Sequence, residues 1–189
     1  FEGQSFTFNN LNVLIEKAAG GLHSLGISQG DVVTLYASNS CEWVVSYFAI
    51  ARIGAVINPV NTMLTPTEIE FVVKDCDARA IITSADKVVG IMSVKESSNV
   101  TSIISFGDSP EGVISFDELI SKNLTPPPMV VITPETLSTI GYTSGTTGHP
   151  KGAMQSHKAV ITNGAMTSQL HMRGQDDVVV SALPCPHVY

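Results

Sequence analysis

Apolar positions along the chain change period repeatedly, and each change marks an element. Leu11, Leu14, Ile15, Ala18, Leu22 and Leu25 recur at three- and four-residue spacing, which predicts an amphipathic helix ending near Gly26. The run DVVTLYAS then reads as a strand, because its apolar residues are consecutive and β-branched. CEWVVSYFAIARIG is apolar nearly all round and predicts a buried helix, with Trp43, Tyr47 and Phe48 spaced for core packing. AVINPVN is a short strand closed by Pro59. Thr65, Pro66 and Glu68 supply an N-cap, a proline at the first helical position and a capping-box glutamate. Ile69, Val72 and Val73 give the helix that follows its inner face.

The alternation continues with a strand at RAIIT, a helix over 86–95 and a strand at VTSIISF. Ser115 and Glu118 predict a second capping box over a short helix. LTPPP, residues 124–128, is a stiff extended connector and the best candidate for an internal boundary. A strand over 137–142, a returning strand at KGAMQSH, a helix over 158–172 and a last strand at DVVVSAL complete the series. Met154, Met166 and Met172 are expected to serve packing rather than a pocket. Strands alternating with helices imply an α/β fold, a largely parallel sheet flanked by helices.

Composition narrows the function classes. The 189 residues carry 10 basic and 17 acidic side chains, a formal net charge of −7 with no basic cluster, which argues against nucleic acid as a partner. Charged residues make up only 14%, low for a free surface, so further chain or a partner is expected to cover part of it. Cys41, Cys76 and Cys185 are odd in number and form no CxxC pair, which indicates neither a disulfide framework nor a zinc site and fits a reducing, cytoplasmic compartment. A buried, inert thiol is the expected state of Cys185. The longest apolar region, 44–57, is interrupted by Ser46 and Arg52 and is too short to span a bilayer. The chain opens at Phe1 without a methionine or a signal-peptide pattern, which suggests a piece of a longer protein.

One stretch concentrates chemistry. In YTSGTTGHPKGAMQSH, six of the seven residues from Tyr142 to Gly148 are serine, threonine or glycine. Glycines let a backbone approach an anion closely, and consecutive N–H groups can form an anion-binding nest. Thr143, Ser144, Thr146 and Thr147 add hydroxyls, and Lys151 adds a point charge. The stretch is not a Walker A loop: counted from Gly145, that pattern needs glycine at 150 and Ser/Thr at 152, where this chain has Pro150 and Gly152. Taken alone, the composition also fits an ordinary surface turn.

The full string resembles the signature of the acyl-adenylate-forming superfamily, Y-[ST]-S-G-[ST]-T-G-x-P-K-G-V-x-x-[ST]-H, with Ala153 at the usual valine and His149 at the variable position. The resemblance extends to QSFTFNNLNVLIEKAAGGLHSLGISQGDVV and to the block containing GAVINPVN. LPCPHVY resembles the block written LPxFHxxG, with Cys185 and Pro186 replacing the usual pair. The resemblance implies the N-terminal portion of an adenylate-forming large domain over residues 1–189. The implied activity is that of an acyl-CoA ligase that uses ATP and Mg2+ to activate a carboxylic acid, a fatty acid being the expected class, and then transfers it to coenzyme A. It further implies that Thr143, Ser144, Gly145, Thr146, Thr147 and Gly148 grip the β- and γ-phosphates and that Lys151 adds charge there. Thr143 would approach magnesium, and His187 would orient or gate the acyl group. His157 is expected to be structural, and His23, His149 and His171 to be surface residues. Parts such as the adenine motif and a C-terminal domain with a catalytic lysine have no counterpart here, so this chain alone is expected to be inactive and to act with the missing C-terminal part of the same protein. An adenylation module for a carrier protein and a non-catalytic scaffold unit remain open beside the ligase.

Overall fold

The computed structural model describes residues 3–143 and 150–186. Helices α1 (Phe8–Ser24), α2 (Cys41–Arg52), α3 (Pro66–Asp75), α4 (Ala85–Ser97), α5 (Phe116–Ser121) and α6 (His157–Leu170) alternate with strands. The strands are β1 (Val32–Tyr36), β2 (Val56–Pro59), β3 (Ala78–Ser84), β4 (Ser102–Phe106), β5 (Ile114–Ser115), β6 (Leu137–Thr143) and β7 (Lys151–Ser156). They form one sheet in the order β5-β4-β3-β1-β2-β6-β7. Every pairing is parallel except β6 with β7, which are antiparallel. The expected α/β class with a largely parallel sheet is the observed one.

Two apolar layers sandwich this sheet. Val33, Leu35, Ala80, Ile82 and Ile104 face α1, α2 and α5, while Val32, Tyr36, Ile81 and Ile103 face α3 and α4. Adjacent Ile103 and Ile104 thus enter opposite cores, as the period of two requires. Burial on both faces is why these strands read as unbroken apolar runs rather than as alternation.

Local signals hold the helices in place. Thr65 and Glu68 form the expected capping box, the hydroxyl accepting from the Glu68 N–H at 3.4 Å and the carboxylate accepting from the Thr65 N–H at 2.8 Å. Ser115 and Glu118 complete only the forward half, Ser115 Oγ accepting from the Glu118 N–H at 3.3 Å. A box that the sequence reading missed opens α1, where Asn10 takes the part of the usual acid or amide opposite Thr7. The proline-rich connector lies against α1. A Cβ on Gly20 would stand 2.2 Å from the Leu124 carbonyl oxygen, so only glycine permits that approach.

Three expectations need correction. Phe48 is 51% exposed: α2 turns Trp43, Val45, Ala49 and Ile50 inward, and Phe48 lies off that face. Met154, Met166 and Met172 are exposed, on β7, on α6 and just beyond it. DVVVSAL is not a strand. Val178 and Val180 are 89% and 85% exposed, and β-branched residues form a strand only where a partner strand accepts their backbone groups.

Candidate functional site

Because β6 runs parallel to β2, the turn after β6 emerges at the same sheet edge as the segments following β1, β3 and β4. Open α/β sheets bind ligands outside the carboxyl ends of their strands. The β6–β7 ladder pairs Ile140 with Met154, Gly141 with Ala153, Tyr142 with Gly152 and Thr143 with Lys151. Thr143 and Lys151 are therefore cross-strand partners where the ladder ends, and both are exposed. Ser144, Gly145, Thr146, Thr147 and Gly148 lie outside the described residues, as do His149 and His187.

The element after the turn is a strand, not a helix, which separates this arrangement from a Walker A loop in three dimensions as Pro150 and Gly152 do in sequence. Thr143 and Lys151, the residues paired at the end of the two arms, stand one strand spacing apart. A hydroxyl and an ammonium group thereby share one sheet edge.

The polar support below the turn was not evident from the sequence. Asn58, fully buried on β2, accepts a hydrogen bond from Thr34 Oγ1 at 3.0 Å and donates through Nδ2 to the Ile140 carbonyl at 2.8 Å. Ladder pairing of β2 with β6 is limited to Ile57 with Thr139, so the Asn58 amide supplements a short seam. At the hairpin base, the His157 backbone N–H donates to the Thr136 carbonyl at 3.0 Å.

A second feature at the same edge is a cavity of about 340 Å³, lined in part by Ser38, Asn39, Ser40, Cys41, Ser84 and Phe106. Asn39 donates through Nδ2 to the Leu183 carbonyl at 2.8 Å, and its Oδ1 accepts from the Cys185 N–H at 2.7 Å. The side-chain amide thus ties the LPCP segment to the end of β1 across more than 140 residues of sequence. A single asparagine after a strand gives no sequence signal for such a partner.

Cys185 is exposed rather than buried, yet partial desolvation still pushes its thiol above the ordinary range. Burial pushes Cys76 up to about 11, and burial followed by the Glu42 charge raises Cys41. All three are protonated at neutral pH, which leaves them poor nucleophiles.

A family profile described as "AMP-binding enzyme" matches residues 1–189. The chain belongs to this family. Among its relatives, 4-coumarate–CoA ligase 1 of Petroselinum crispum is 33% identical, covering 99% of this chain and 35% of that protein. The 4-coumarate–CoA ligase CCL1 of Humulus lupulus is 34% identical with the same coverage. The chain spans about a third of the length of these curated relatives. ATP-bound MatB from Rhodopseudomonas palustris superposes with a TM-score of 0.87 at 28% identity, over 98% of this chain and 36% of that one. The anthranilate CoA ligase AuaEII, solved with anthranoyl-AMP, gives a TM-score of 0.80 at 32% identity, over 88% and 32%.

Proposed function

We propose that this chain is the polyphosphate-gripping part of an ATP-dependent ligase, which activates a carboxylic acid and passes its acyl group to coenzyme A. The observation that carries the reading is the β6–β7 hairpin. It sets Thr143 opposite Lys151 at the carboxyl edge of the sheet, on either side of a serine–glycine–threonine tip, in a chain of the AMP-binding family.

In the first step the substrate carboxylate attacks the α-phosphorus of ATP, the bond to the β-phosphate oxygen breaks, and pyrophosphate leaves. In the second step the coenzyme A thiol attacks the acyl carbon, a carbon–sulfur bond forms and AMP departs. Negative charge grows on the leaving pyrophosphate, so donors fixed in advance around it lower the barrier. Thr143, Ser144, Thr146, Thr147 and the backbone at Gly145 and Gly148 are the proposed donors, and Lys151 is the proposed cation.

Among the described residues no group of three or more His, Cys, Asp or Glu side chains forms a metal cage. The donor available on the described chain is the Thr143 hydroxyl, a hard oxygen that would join phosphate oxygens and water around Mg2+. The ion would supply neutralising charge on the phosphates. His187 is the proposed residue beside the acyl group, and it follows the segment that Asn39 holds.

The acyl class is the finer part of the reading. Coumarate and anthranilate ligases among the similar proteins direct the first trials to aryl acids, with fatty acids as the second arm.

The test titrates the isotope-labelled chain with ATP–Mg2+. Shifts at Thr143 and Lys151–Ala153, reduced about tenfold in apparent affinity by Lys151→Ala, are expected. Unchanged spectra at those positions at millimolar nucleotide would overturn the proposal.

A further inference from the structure

Asp75 is the last residue of α3, at the end of a helix where a negative charge is disfavoured by the macrodipole. The residue is exposed, and no lysine or arginine pairs with it among the described residues. Its Oδ2 instead accepts a short hydrogen bond from the Tyr142 hydroxyl, 67 residues away in sequence. Desolvation, followed by this bond to Asp75, pushes the phenol well above its ordinary range, so the proton stays on the tyrosine.

Tyr142 is the last residue of β6 before Thr143, and its cross-strand partner is Gly152. A Cβ placed on Gly152 would stand 3.2 Å from Tyr142 Cζ, 3.3 Å from its hydroxyl oxygen and 2.9 Å from Ile140 Cγ2. Gly152 is thus the bare position over which the phenol ring leans on its way to α3. The glycine that breaks the Walker pattern has a structural reason of its own.

We infer that Asp75 is a positioning residue: through Tyr142 it latches the β6–β7 hairpin to α3 and fixes the two arms from which the polyphosphate turn hangs. The inference rests on the proposed function for its consequence in binding, but the latch itself is read independently of nucleotide. Three contacts define it: carboxylate to phenol, phenol ring over Gly152, and Thr143 beside Lys151 at the next ladder position. Without the carboxylate the ring loses its outer anchor. The hairpin ends then move against the sheet, while the α3 core of Ile69, Val72 and Val73 stays packed.

The experiment compares Tyr142→Phe, Asp75→Ala, Asp75→Asn and the double variant Tyr142→Phe/Asp75→Ala with the parent chain. Amide exchange at Thr143, Lys151 and Gly152 without nucleotide should rise about tenfold in the first two, as expected for loss of one hydrogen bond to a charged acceptor. It should stay close to the parent in Asp75→Asn, which keeps an acceptor oxygen, and the double variant should add little to either single. Exchange in β1 and β3 and the thermal midpoint should hardly change, which a general packing role would not allow. Affinity for ATP–Mg2+ should fall about fivefold to tenfold in step with hairpin exchange. Parental exchange at the hairpin ends in both Tyr142→Phe and Asp75→Ala overturns the latch, whether or not nucleotide binds. Faster exchange with no nucleotide effect in any form, parent included, upholds the latch and defeats the proposed function instead.

Discussion

Asn58 shows how a single side chain substitutes for a ladder. Its amide accepts from Thr34 and donates to the Ile140 carbonyl, joining β1, β2 and β6 where β2 and β6 share one register pair. A buried acceptor left without its donor costs about 1–3 kcal/mol, and the truncated side chain leaves a void besides. Asn58→Ala is therefore expected to lower unfolding stability by about 2 kcal/mol in urea titration. The larger amide-exchange change should fall at Ile140 and its neighbours rather than on α1. The strand at AVINPVN was legible, but not the partners of Asn58, because the sequence does not show which strands flank β2 or which side-chain and carbonyl groups they present. Thr143 and Lys151 were legible as chemistry but not as cross-strand partners, since pairing register depends on where the turn closes. Phe48 carried the opposite error: helical spacing put it with Trp43 and Tyr47, and it does meet the Tyr47 ring edge to face at 5.5 Å, yet it does so on the exposed side of α2 rather than in the core.

Helix ends were the most readable elements, because capping is local physics. Thr65, Pro66 and Glu68 announce α3 in four consecutive residues, and the structure closes both bonds of the box. Hydrogen bonds from the Thr65 backbone N–H and hydroxyl hold the Glu68 carboxyl below its ordinary value of 4.5. A folded-state value below the unfolded one adds stability that is present above about pH 4.5 and is lost as pH falls through the folded value. Glu68→Gln keeps a capping side chain without a charge. It should therefore lower neutral-pH stability slightly, by the share tied to the charge, and flatten the loss of stability below about pH 4.5. Glu70, also lowered by its bonds to Lys74 and Ser97, should retain a share of that acid sensitivity. Thr65→Ala, by contrast, removes the hydroxyl cap and should cost about 1 kcal/mol at neutral pH. Elements whose form depends on partners were harder to read. DVVVSAL has strand propensity but no described strand beside it, and Gly20 gives no sign of the carbonyl that approaches it.

Across the whole molecule, order should follow the two-sided burial of the sheet. β1, β3 and β4 are interior strands with cores on both faces, and they hold Val33, Leu35, Ala80, Ile82 and Ile104 at 0% exposure. At the opposite extreme, α6 has no buried residue and displays Ile161, Met166 and Leu170, while β7 exposes Met154. The low charged fraction noted in the sequence matches this apolar flank. Local opening costs least where few apolar contacts must be broken, so amide exchange should be graded along the sheet order. β1 and β3 are expected to exchange only with global unfolding, β6 at intermediate rates, and α6 with residues 171–186 fastest. The gradient also explains why one latch at Asp75 matters: Tyr142 lies between the rigid centre and the lightly held flank, where a single contact can decide how firmly the turn is carried. Uniform protection from β1 through α6 in a site-resolved exchange experiment would contradict this picture, since it would require a stabilising surface on α6 that its exposed side chains do not supply.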